Sequence, residues 1–179
     1  MLSAEKALLV VIDVQGKLAQ LMSGKEALFA NLQRCIRGAK VLGLPILWLE
    51  QNPEGLGPTI PEVAGLLAGI QPISKFCFSC CGNEQFLQAL RASGRKQVLI
   101  TGIETHVCVY QTSSDLVRLG YEVQVVADAV SSRTAENRQI GLDRIKAAGG
   151  TVTSTEMALF EMLKEAKGDK FKEILKAVK

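Results

Sequence analysis

Apolar residues run unbroken from Leu8 to Ile12 and stop at Asp13, the pattern of a parallel strand covered on both faces. From Glu26 to Leu42 the period changes. Leu28, Leu32, Cys35, Ile36, Ala39 and Leu42 recur at helical spacing, and Gly43 closes the stretch. Pro45 opens a second strand, Ile46 to Leu49, and the Pro/Gly-rich run from Gln51 to Pro58 reads as a loop too irregular for regular structure. A short helix near Pro61 to Ala68 and a brief strand near Gln71 to Ser74 lead to Lys75. Next come a helix from about Asn83 to Ala92, a strand from Gln97 to Thr101, and, after Gly102 to Cys108, a helix reaching Gly120. Glu122 to Ala127 reads as strand, Thr134 to Ala148 as helix and Thr151 to Thr153 as strand, and two helices finish the chain. The last helix carries an apolar stripe of Phe171, Ile174, Leu175 and Val178, so it is expected to dock on the body or on another subunit.

Strand and helix alternate throughout, which predicts the α/β class: a three-layer sandwich around a mainly parallel sheet of six strands. No repeat or linker interrupts residues 1–179, so one domain is expected. In such sheets ligands bind beyond the carboxyl ends of the strands. Asp13, Glu50, Lys75 and the segment Gly102 to Cys108 all follow strand ends and should face one crevice.

Composition narrows the partners. At 47% hydrophobic and 22% charged residues the chain is an ordinary globular one. It has no apolar run of transmembrane length and no signal-peptide pattern at Met1 to Lys6, so no membrane association is expected. The net charge of +3 comes from the tail, where Lys164, Lys167, Lys170, Lys172, Lys176 and Lys179 outnumber Glu165, Asp169 and Glu173. A nucleic-acid binder would carry a broader basic face with interleaved aromatics, so this reads as a solvated last helix. Five cysteines is an odd count in a chain of this size. Reduced thiols and a cytoplasmic location follow as the default.

The candidate chemistry starts at Cys108, near the start of a predicted helix. Unpaired N–H groups and the helix dipole there favour a thiolate and predict a lowered thiol pKa. Asp13 and Lys75, each directly after a short strand, would supply a general base and a cation to hold the charges. Taken singly, each has an ordinary reading: a buried thiol, a turn-capping acid, a surface lysine. Gln15, Glu50, Gln51, Phe76 and Thr105 are the pocket-lining candidates. The one histidine, His106, sits two residues before Cys108, and positions two apart on a helix point away from each other, so a Cys–His dyad is not expected. Cys77, Cys80 and Cys81 lack a second ligand pair for structural zinc and read as structural thiols, with redox control of the pocket as the alternative. Cys35 lies on a helix's apolar stripe and is assigned to the core.

Three segments then carry a resemblance. Val10-Val11-Ile12-Asp13-Val14-Gln15, Ser74-Lys75 and Gly102-Ile103-Glu104-Thr105-His106-Val107-Cys108-Val109 resemble, in order and spacing, the signatures of the isochorismatase-like cysteine hydrolases. The run Glu50 to Thr59 resembles the branch called isochorismatase domain-containing proteins. The resemblance implies a Rossmann-like sandwich, an Asp13–Lys75–Cys108 triad, and a cis peptide at Ile103–Glu104. It also implies an oxyanion hole made by the N–H groups of Glu104 and Cys108. It points to hydrolysis of a small amide or related acyl substrate through a thioester, without cofactor, by a protein whose relatives often assemble into homo-oligomers. Metal-dependent nicotinamidases of this superfamily carry an Asp and several His after the second strand. This chain has no histidine near Glu50, so no metal is expected. Cleavage of isochorismate itself is not implied. A binding or scaffold protein without turnover, and a thiol redox sensor, are the alternatives on the same fold.

Overall fold

The computed structural model describes residues 1–178; Lys179, the last lysine of the basic tail, lies outside the described residues. Six strands make one sheet: β1 (Ala7–Ile12), β2 (Ile46–Gln51), β3 (Ile73–Lys75), β4 (Gln97–Ile103), β5 (Glu122–Ser131) and β6 (Thr151–Thr153). Their spatial order is β3-β2-β1-β4-β5-β6, and every neighbouring pair is parallel. The sheet is therefore wholly parallel, where the sequence predicts mainly parallel. Winding proceeds from β1 outward to β3, then restarts at β4 and proceeds the other way. The switch point thus lies between β1 and β4, the place where a crevice opens above such sheets.

All six residues of β1 are buried, and they alternate between two cores. Ala7, Leu9 and Val11 join α2 (Lys25–Leu42), α8 (Thr155–Leu163) and α9 (Gly168–Val178) on one face. Leu8, Val10 and Ile12 join α5 (Glu84–Ala92), α6 (Tyr110–Arg118) and α7 (Ala135–Ala147) on the other. This two-sided burial is why β1 reads as an unbroken apolar run. Through Ile174, helix α9 docks on the body of the chain.

The structure differs from the sequence expectations in several places. The run from Gln51 to Pro58 contains a helical turn, α3 (Pro53–Leu56), and is tied down by Gly16 N–H donating to Pro58 O at 3.1 Å. A five-residue helix, α1 (Gly16–Gln20), precedes α2; it is too short to show a period. Strand β5 continues to Ser131 because Asp128, polar enough to read as a strand end, has its carboxylate satisfied by the N–H and hydroxyl of Thr155 at 2.8 and 2.9 Å. Strand β4 continues through Gly102, where the register to β5 shifts. A Cβ at Gly102 would lie 2.1 Å from the Ile12 carbonyl oxygen, and its φ is +110°, so only glycine fits. Between Pro61 and Ala68, α4 (Pro61–Ala64) passes into a 3-10 turn.

Candidate active site

Asp13 leaves β1 in the left-handed region, at φ 54°, a conformation that Asp tolerates better than most residues. Its N–H donates to Leu49 O at 3.1 Å and its carbonyl accepts from Gln15 N–H at 2.8 Å, which hold this turn. The parallel register sets Lys75 beside Gln51. Lys75 Nζ reaches Asp13 Oδ2 at 2.7 Å and Gln51 Oε1 at 2.7 Å, and the carbonyls of Cys77 and Phe78 at 3.2 and 3.3 Å. Burial works against the ammonium, but Asp13, with Cys80 and Cys108, outweighs it and raises the Lys75 pKa, so Lys75 stays charged. Burial also raises the Asp13 pKa, against the attraction of Lys75, and makes this carboxylate a better base than an exposed one.

Cys108 does not begin an α-helix. It is the fourth residue of a π-helical turn, Thr105–Val109, that precedes α6. The expected lowering of its pKa is reversed. Burial first, and the Asp13 charge second, push the thiol up to about 12, with Lys75 opposing them. The thiol is therefore protonated at rest, and it needs a base to become a nucleophile. Asp13 Oδ1 is buried without a conventional hydrogen-bond partner, and the Cys108 thiol interacts with this carboxyl.

The Ile103–Glu104 peptide bond is cis. The Glu104 carbonyl accepts the N–H groups of Val107 and Val109 at 3.0 and 3.2 Å, passing over Cys108 between them. The Glu104 carboxylate uses Oε2 to accept from Arg133 N–H and Nε–H at 3.0 and 3.2 Å. Helix α7 presses on the turn through Gly141, where a Cβ would stand 2.8 Å from His106 N and from Thr105 C and O.

A cavity of about 120 Å³ opens at the β1/β4 switch point. Asp13, Gln51, Glu104 and Cys108 line it together with apolar Leu18, Leu56, Phe78, Ile103 and Val107. Of the residues singled out in the sequence as pocket walls, Gln51 lies on it and four do not. Gln15 is fully buried, donating Nε2–H to Gln51 O and Gly57 O at 3.0 and 2.7 Å and accepting Gln51 N–H at 2.6 Å. Glu50 accepts the N–H and hydroxyl of Thr59, both at 2.7 Å. Thr105 is buried with its hydroxyl unpartnered. Phe76 is 76% exposed, and Phe78, two residues on, takes the wall instead. The carbonyl contacts of Cys77 and Phe78 to Lys75 fold this segment back over the site.

His106 Nδ1 pairs with Ser132 Oγ at 2.9 Å. All five cysteines are free thiols. Cys80 is fully buried and pushed up by that burial, and Cys35 sits in the core at 3.4 Å from Thr155 Oγ1. No group of three or more His, Cys, Asp or Glu side chains among the described residues is arranged to hold a metal ion. No helix among them is long and apolar enough to cross a membrane.

A family model described as Isochorismatase domain matches residues 7–157. The mouse (Mus musculus) protein called isochorismatase domain-containing protein 2A is 37% identical over 98% of this chain and 84% of its own length. Among solved structures, a Caenorhabditis elegans protein described as MAR1 ribonuclease superposes with a TM-score of 0.92 at 34% identity, over 99% of this chain and 91% of that one. The Escherichia coli YcaC gene product, described as an octameric hydrolase of unknown specificity, shares the fold with a TM-score of 0.93 at 24% identity, over 98% and 88% of the two chains. Sequence, fold and topology agree, and the chain belongs to the isochorismatase-like hydrolase family.

Proposed function

We propose that this protein, acting as a single domain over residues 1–179, hydrolyses a small amide or related acyl compound through a covalent thioester on Cys108. What carries this reading is the meeting of a protonated thiol and a raised-pKa carboxylate on one apolar cavity wall, with the carboxylate backed by a buried ammonium. Asp13 takes the thiol proton and the sulfur attacks the substrate carbonyl carbon. The N–H groups of Glu104 and Cys108 donate hydrogen bonds to the developing oxyanion. As the tetrahedral centre collapses, the C–N bond breaks and Asp13 passes its proton to the leaving amine. Water then loses a proton to Asp13 and attacks the thioester, and the acid leaves as that proton returns to sulfur. Lys75 keeps the Asp13 carboxylate oriented and offsets its charge between these transfers. Gln51, at the cavity wall, orients the substrate. Gln15 and Glu50 act at one remove by fixing the 51–59 segment.

The reading uses no metal and no cofactor, because every proton and bond is handled by groups already at the cavity. It places the protein in a reducing compartment such as the cytoplasm, where Cys108 remains a thiol. Homo-oligomeric assembly is part of the proposal, in line with the octamer described for the YcaC product. The ribonuclease description belongs to the nematode relative; in this cavity the Lys75 ammonium is already committed to four oxygens and none is left for a phosphodiester.

The test is a panel of small amides and esters given to wild type and Cys108→Ala. Turnover by wild type alone, with a trapped acyl adduct on Cys108, supports the reading. A confirmed substrate still hydrolysed by Cys108→Ala at the wild-type rate sinks it.

A further inference from the structure

The charges around the cavity are unbalanced in a way that bears on what can enter it. Two acidic residues, Asp13 and Glu104, line it, and no Lys or Arg among the described residues does. Lys75 stands behind Asp13 with its side chain wholly shut from solvent. Its three N–H groups meet four oxygens, from Asp13, Gln51, Cys77 and Phe78. Arg133 pairs with Glu104 and keeps 58% of its side chain in solvent. Both of its contacts fall on Oε2 of Glu104, through its backbone N–H and Nε–H. Oε1 of Glu104 has no partner among the described residues, although the side chain is only 9% exposed.

An anion moving into this space would lose its hydration without meeting a free cation, beside two carboxylates whose cations, Lys75 and Arg133, are already paired with them. A neutral group meets no such penalty and finds an apolar wall of Leu18, Leu56, Phe78, Ile103 and Val107. We propose that the cavity selects uncharged, largely apolar acyl compounds and rejects carboxylates, and that the Glu104 side chain sets this selectivity, tempered by Arg133. The inference rests on the reading of Cys108 as the reactive group of this cavity, and it narrows the substrate class to neutral amides. Glu104 acts here through its side chain, separately from the role proposed for its backbone N–H.

Two alkylating reagents of nearly equal size test the charge directly, without any turnover. Iodoacetamide is neutral and iodoacetate is anionic. With either one the Cys108 sulfur forms a bond to the methylene carbon, iodide leaves, and the thiol proton goes to the buffer. Modification of Cys108 is followed by peptide mass spectrometry, and the ratio of the two rates is compared with that for reduced glutathione. In wild type the preference for iodoacetamide is expected to exceed the glutathione value at least tenfold. Glu104→Gln should shrink this excess at least threefold. Arg133→Gln, at a mostly exposed side chain, should enlarge it.

A wild-type ratio equal to that of glutathione overturns the proposal, and so does a ratio indifferent to both substitutions. Failure of both reagents to reach Cys108 overturns the access on which the proposal stands. The hydrolytic reading fails separately. An amide panel without turnover would sink hydrolysis while leaving the charge preference standing.

Discussion

The Lys75 ammonium stands 2.7 Å from the Asp13 carboxylate, and the two side chains keep 0% and 3% of their surface in solvent. A pair this buried is asymmetric in its energetics: removing one partner strands the charge of the other in a poorly solvated place. Lys75→Met keeps the length of the side chain and deletes the ammonium. It is expected to lower stability at neutral pH by about 3–5 kcal/mol, measured by chemical denaturation. Losing Lys75 removes the attraction that lowers the Asp13 pKa and leaves the burial that raises it. A carboxyl whose folded pKa is raised loses stability as pH rises through the window from its unfolded to its folded value. The deficit should therefore be smaller in mild acid than at pH 7. A loss below about 1 kcal/mol, or one independent of pH, would show that the pair is not the buried ion pair described above.

Asp13→Asn separates the two tasks assigned to Asp13. Asn also tolerates the left-handed φ of this position, so the turn should survive. Burial, then Asp13, holds the Cys108 thiol at about 12 while Lys75 pulls it down. Removing the carboxylate leaves Lys75 unopposed, so the thiol pKa should fall, and alkylation of Cys108 near pH 8 should quicken. Hydrolysis should collapse at the same time, because no group remains to carry the proton. The native thiol also makes wild type lose stability as pH rises from 9.0 toward about 12, and this slope should flatten in the variant. A pH titration of Cys108 alkylation checks the prediction; a thiol pKa that stays put or rises refutes it.

How far the sequence carried these conclusions can be traced through single residues. The alternation of strand and helix was enough for the layers, and the end of β1 was enough to set Asp13 at a strand's carboxyl edge. Strand ends buried by polar contacts were not legible, as Asp128 shows: it reads as a terminus until Thr155 supplies its partners. The sign of the Cys108 pKa shift is hidden from the sequence for a similar reason. Helix position is visible in a sequence, whereas the burial and the Asp13 charge that dominate depend on distant segments meeting. Glu50 sits at a strand end and Gln15 near Asp13, yet their side chains turn onto the 51–59 backbone instead of the cavity. Phe78 replaces Phe76 on the wall because the Lys75 ammonium gathers two carbonyls from that loop, a tertiary contact without a sequence period.

Gly141 is where helix α7 controls the geometry of the proposed oxyanion hole. The turn Thr105–Val109 carries Cys108 and follows Glu104 directly, and α7 crosses it with no room for a methyl group. A Cβ at position 141 would meet backbone atoms of Thr105 and His106 at 2.8 Å, and backbone cannot swing aside as a side-chain tip can. Gly141→Ala must therefore displace the turn or the helix by some tenths of an ångström. Overpacking of this kind costs about 1–3 kcal/mol. Losing one well-aimed oxyanion donor costs roughly 10²–10³ in turnover, so a partial misalignment should cost about tenfold or more in kcat. Gln51, Leu18, Leu56 and Phe78, which line the cavity from other segments, stay in place, so KM should change less than kcat. Gly65→Ala is the matched control, because a Cβ there meets nothing within 4 Å and the backbone φ is an ordinary −59°. Kinetics on an amide found by the panel, with denaturation run alongside, decide the matter. If Gly141→Ala keeps the kcat of Gly65→Ala, the contact of α7 does not hold the turn in its working geometry.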